Sequence, residues 1–234
     1  MPCNRMRPKL LNKGGSNLTS NSLNGVKSSM VPSPKNISTS TFKERLSIWN
    51  KFVDLYQICK EATPLFEELP NGQVATRNIG GAGTRRAILR RSVKTDELIK
   101  SICATLEEDW KSKAHHYDGM LYIIFTKEVS GVVPLYIGKA ETFGKSEGNL
   151  SANIKGVATD TSKFARWGDN YAYHIGDLSA VVLPGHNPEK KMPKYKKWAG
   201  SLFEQFPTDQ PRLRQRVFFW ARPWSHLDIG VWEE

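Results

Sequence analysis

Three groups of residues in this chain have the types and spacing to act on a charged substrate. Tyr122, in Met120-Leu121-Tyr122-Ile123-Ile124-Phe125, and Tyr136, in Leu135-Tyr136-Ile137-Gly138, are phenols 14 positions apart, each inside an apolar run. Arg85, Arg86, Arg90 and Arg91 follow Gly80-Gly81-Ala82-Gly83, with Arg77 just before. The planar guanidinium donates bidentately to phosphate, and glycine lets backbone approach a partner closely. The Gly-Lys-Ser/Thr ending of a P-loop is missing. The segment therefore reads either as a grip on a DNA backbone or as a flexible linker into a solvated helix. His174 is the third group. Its ordinary pKa near neutrality suits a general acid or base, against the alternative of a histidine held by ordinary hydrogen bonds.

The elements that must position these residues can be read from pattern. Met120 to Thr126 and Val132 to Ile137 are predicted strands, joined at Ser130-Gly131. Pro134 cannot donate to a ladder and prefers a sheet edge. Alternation puts Tyr122, Ile124 and Thr126 on one face, and Tyr136 with Gly138 on one face, so the two phenols are expected side by side. Thr41 and Glu44 have capping-box spacing. They open a helix whose stripe is Phe42, Leu46, Trp49, Val53 and Tyr56, with Pro64 as its limit. A second helix is predicted from Thr95 to Lys113, with Asp96 and Glu97 at its positive end and Leu98, Ile102, Leu106 and Trp110 as its stripe. His115 and His116 read as exposed linker. Tyr171 to Leu183 reads as a strand, 184–216 as loop and short helix, and Val217 to Trp220, extending to Pro223, as the last strand. The expected class is α+β: a small mixed or antiparallel sheet flanked by helices, with an N-terminal helical arm. The expected segments are a tail over 1–40, a helical subdomain over 41–116 and a core over 117–234.

The 234 residues carry a formal charge of +11 and 39% hydrophobic residues, ten Phe, seven Tyr and seven Trp among them. Such a charge favours an anionic partner, most often nucleic acid. Cys3, Cys59 and Cys103 form no CxxC, so neither a zinc site nor a disulfide framework is suggested, and a reducing, cytoplasmic setting fits. No apolar run is long enough to span a membrane. Residues 1–40 hold six Lys or Arg and no acid. This polar, Ser-rich stretch is expected to be a disordered basic tail. An acid-free, Ser-rich start also resembles a mitochondrial transit peptide, although its prolines and glycines oppose an amphipathic helix.

Tyr122 in Met120-Leu121-Tyr122, and Tyr136-Ile137-Gly138 running into Lys139-Ala140, resemble the two signature strands of the GIY-YIG nucleases. Met120-Leu121 stands where that family has Gly-Ile, and Gly119 falls one residue early for the glycine. The likeness covers about residues 118–234. It implies a metal-dependent DNA endonuclease that uses magnesium as Lewis acid. Tyr122 would position or deprotonate the water, Tyr136 would orient the phosphate or the base, and an arginine would balance developing charge. The family's arginine lies on the helix directly after YIG, and Glu141 to Gly156 contains none. Arg166 is the next, with Lys145 and Lys155 as competitors. Such an insertion resembles the restriction-endonuclease branch. Lys139 and His174 are secondary candidates. The family's metal glutamate sits on a helix after the last core strand. The sequence ends at Glu234, so the expectation is a fragment lacking that helix, with Glu233 and Glu234 as stand-ins for the metal ligand. The second reading is a catalytically incomplete nucleic-acid-binding module of the same fold. A structural adaptor with a protein partner is the third.

Overall fold

The computed structural model describes residues 41–83, 85–144, 148–161, 166–167, 171–172, 175–187 and 193–228, the side chains of 166–167 and 171–172 excepted. In chain order its elements are α1 (Phe42–Leu55), α2 (Ile58–Glu61), β1 (Thr63–Pro64), β2 (Thr76–Ile79), β3 (Arg86–Leu89), α3 (Val93–Lys111), β4 (Gly119–Glu128), β5 (Gly131–Glu141), β6 (Arg166–Trp167), β7 (Tyr171–Ala172), α4 (Ile175–Val182), α5 (Pro193–Leu202) and β8 (Val217–Trp224). The class is α+β, as the sequence predicts. The expected tail over 1–40 lies outside the described residues.

Among the described residues, the main sheet has four antiparallel strands in the order β1-β8-β4-β5. β4 is central and buried from Gly119 to Thr126. A strand covered on both faces has no need of polar alternation, which is why Met120 to Phe125 is one apolar run. The pleat divides its side chains between two cores. Met120, Tyr122 and Ile124 join Ala140, Phe219 and Ala221 on one face. Leu121, Ile123 and Phe125 join Val132, Trp220 and Trp224 on the other.

α1 covers the second face. Thr41 caps it through the predicted reciprocal bonds with Glu44. Phe52 is buried, Trp49, Val53 and Tyr56 pack beside it, and the Trp49 indole donates to the Val132 carbonyl at 2.9 Å. The predicted stripe is only half used: Phe42 is 78% exposed, so α1 meets the sheet with its C-terminal half. α3, α4 and α5 cover the first face through Ile99, Ile102 and Leu106, Leu178 and Val182, and Ala199 and Leu202. Residues 41–116 and 117–234 thus contribute to both cores and belong to one compact unit.

α3 starts at Val93, two residues before the predicted Thr95, because Ser92 is the N-cap and its hydroxyl accepts from the Thr95 amide at 3.1 Å. The buried Thr95 hydroxyl donates to the Pro64 carbonyl at 2.8 Å, tying the helix to β1. Two segments differ from expectation. The glycine-rich stretch over 68–92 is not a linker: β2 and β3 form an antiparallel hairpin. Gly80 and Gly83 take φ of 90° and 80° in its turn, which glycine adopts without penalty. Within Tyr171 to Leu183, only Tyr171–Ala172 is strand and Ile175–Val182 is helix α4. Apart from half-buried Asp177, every residue of α4 is buried. A helix covered on all sides has no polar face to mark a period of 3.6.

Candidate functional site

Tyr122 and Gly138 lie directly opposite each other in the β4–β5 ladder, and Tyr136 pairs with Ile124. The two phenols share a face as predicted, their ring centroids 5.9 Å apart at 34°. Gly138 makes this possible. A Cβ there would lie 2.5 Å from Tyr136 Cε1, 2.6 Å from Tyr122 Cζ and 2.7 Å from the Tyr122 hydroxyl. The rings close over the bare Cα, so the glycine is dictated by the tyrosine pair rather than by backbone conformation. The two phenols differ in access. Tyr122 is only 3% exposed, with its other side stacked on Phe219 at 5.9 Å. Tyr136 is half-buried.

α5 completes this region with residues the sequence alone did not single out. Trp198 stands edge-on to Tyr136 at 6.0 Å, and Tyr195 edge-on to Trp198 at 5.7 Å. The Lys194 ammonium sits 4.4 Å from the Tyr136 ring centroid, 5.6 Å from that of Trp198 and 5.9 Å from that of Tyr195. Ring faces carry negative charge density and attract an ammonium. Lys194 and Trp198 are four apart, hence neighbours on one helix face. That spacing was the one available signal.

The other candidates are placed as follows. Lys139 lies one residue out of phase with Gly138. The pleat turns it to the opposite face, where its ammonium is 5.8 Å from the Trp224 ring and 3.3 Å from Glu141. The structure does not bring it to the tyrosines. Arg166 is in β6, paired with Ala172, and its side chain is not among those described. His174, Lys145, Glu233 and Glu234 lie outside the described residues, and Lys155 is exposed. Among the described residues no three His, Cys, Asp or Glu side chains converge as a metal site would need. Burial, reinforced by nearby Glu107, pushes the Cys103 thiol up to about 12, so it is no nucleophile at neutral pH.

The predicted arginine grip is divided. Arg85 and Arg90 are exposed and Arg86 is half-buried. The Arg91 side chain is 9% exposed, with Nε 2.8 Å from Asp96 Oδ1 and Nη2 donating to the Thr161 carbonyl at 2.6 Å. Burial pulls its pKa down, opposed by Asp96. Arg91 is thus a strut rather than a free fork. It lines a cavity of about 340 Å3 with Arg77, Arg90, Asp96, Asp160 and Ile175. His186, also unforeseen, is buried and donates from Nε2 to the Ala87 carbonyl at 2.7 Å, pinning the turn after α4 to β3.

No helix among the described residues is long and apolar enough to cross a membrane. Compared with protein-family models, curated proteins and solved structures, the chain finds no match.

Proposed function

We propose that this chain binds DNA and hydrolyses its phosphodiester bonds as an endonuclease of GIY-YIG type, with Tyr122 and Tyr136 at its site, in a cytoplasmic setting. One observation carries the reading: two phenols from adjacent strands meet at 5.9 Å over a glycine whose Cα they cover. Phosphodiester hydrolysis needs an activated water, stabilisation of charge on the phosphate and a proton for the leaving oxygen. Tyr136, half-buried, is the phenol a substrate reaches, and its hydroxyl donates to a phosphate oxygen. Tyr122, enclosed between Tyr136 and Phe219, fixes the ring of Tyr136 and limits where the phosphate can rest. Magnesium, when bound, would supply Lewis-acid charge.

The deep burial of Tyr122 favours the second reading, a DNA-binding module that does not cut, because a phenol this enclosed has little contact with solvent water. Incubating the whole chain with supercoiled plasmid and magnesium decides between them. Nicking that falls on the order of a hundredfold in Tyr136→Phe, as for loss of one preorganised donor, with unchanged DNA affinity, is the expected result. Salt-dependent binding with no cleavage by the unmutated chain selects the binding module. Cleavage equal in the wild type and Tyr136→Phe removes the tyrosine site from the chemistry.

A further inference from the structure

We infer that Lys194 is a phosphate contact of the tyrosine site: its ammonium, seated on the faces of Tyr136, Tyr195 and Trp198, receives a DNA backbone phosphate beside the Tyr136 hydroxyl. The inference rests on the DNA-directed reading above and adds to it a cation that neither the signature strands nor the arginine cluster supplies.

Three observations carry it. The first is distance. Lys194 Nζ is 4.4 Å from the Tyr136 centroid, on the same sheet face as Tyr122, whereas Lys139 points to the opposite face and Arg91 is committed to Asp96 and Thr161. The second is preorganisation. Lysine normally loses much rotamer freedom when it is fixed on a ligand. Here the aromatic faces already hold the ammonium, so less ordering remains for binding to oppose. The third is charge. Lys194 is exposed, no described carboxylate is paired with it, and α5 has no acidic residue in its first turn. A cation kept in place but uncompensated, beside a phenol that donates hydrogen bonds, matches a phosphate with several acceptor oxygens.

Packing alone would also hold a lysine stem against aromatic rings, and charge distinguishes the two. Lys194→Met keeps an apolar stem on the rings and removes the charge. Lys194→Arg keeps the charge. Lys51→Met removes an exposed charge from α1 on the other side of the sheet. The affinity of the whole chain for a short DNA duplex is measured at several salt concentrations, with the thermal midpoint of each variant. The expected result is about tenfold weaker binding for Lys194→Met, with a log–log salt slope smaller by about 0.9, one phosphate contact. Lys194→Arg restores the slope, Lys51→Met keeps it, and the midpoints are unchanged. If Lys194→Met and Lys51→Met are indistinguishable, or if Lys194→Met lowers the midpoint and Lys194→Arg fails to restore the slope, Lys194 is packing and the inference falls while the nuclease reading stands. If the unmutated chain shows no salt-dependent binding to duplex DNA, the nuclease reading falls and this inference with it.

Discussion

The two faces of the central sheet are made by the same strands one residue out of phase, and they are built to different ends. On the α1 face, Phe125 stacks on Phe218 at 5.7 Å, and Phe52 lies edge-on to Trp220 at 6.3 Å. On the other face, the positions opposite and beside Tyr122 are Gly138 and Tyr136. The space a side chain would take is filled by phenol rings, one of them buried and the other half-buried. A fully buried aromatic or aliphatic side chain stabilises by about 1.5–3 kcal/mol before ordering entropy is counted, so the α1 face serves mainly to hold the strands. The phenol face is packed as well, by α3, α4 and α5, and within that packing it sets two hydroxyl-bearing rings at a fixed distance. Register keeps these roles apart, since a slip of one residue would exchange them.

The comparison breaks first at Phe125, which is fully buried. Phe125→Ala should lower unfolding free energy by about 3–5 kcal/mol in urea titration, with unchanged DNA affinity of the protein that remains folded. A loss of affinity with little loss of stability would mean that the faces are not separate in function. Next is Gly138→Ala. The added methyl meets both rings below 3 Å, and overpacking of this kind costs about 1–3 kcal/mol. The rings must also part, so the near-ultraviolet circular dichroism should change in a way that Phe125→Ala does not reproduce. An unaltered spectrum with unaltered stability would show that the glycine is incidental. The smallest effect extends the comparison to cations. Arg91→Met should cost about 1–2 kcal/mol, since it removes charged hydrogen bonds from a partner, Asp96, that water can still partly reach. Arg90→Ala, one residue earlier and exposed, should change stability by less than about 0.5 kcal/mol and act only on DNA binding. Equal stability losses at 90 and 91 would show that the strut is not special.

How much of this was legible in the sequence depended on whether the signal was local. The β4–β5 hairpin was, because a turn at Ser130-Gly131 separates two runs of β-branched and aromatic residues. The start of α1 was, because a capping box needs only Thr41 and Glu44. The side of the sheet each tyrosine faces followed from the period of two. β2 was not legible: Thr76, Arg77 and Asn78 are all exposed, so the strand has no apolar face to alternate. α4 was read as strand because a helix buried nearly all round and a buried strand share one pattern. Lys194 stands in a run of lysines, and nothing in the run marks the one that will sit on Tyr136. That contact joins α5 to β5 across more than fifty residues. The fate of Arg91 depends on Asp96 and on the carbonyl of Thr161. The first is visible at short range and the second only in three dimensions.

Strand β5 forms one margin of the described sheet, and its ladder is irregular. The register shifts between Ile124 and Phe125, which pair with Tyr136 and Pro134 respectively, so that Leu135 is the extra residue. A margin of this kind ordinarily offers a row of donors and acceptors on which another chain can nucleate a strand. Here the proline withholds one donor and the bulge bends the row out of line. By that chemistry β5 makes a poor template for a further strand, although it stands at the margin of a sheet rich in aromatic side chains.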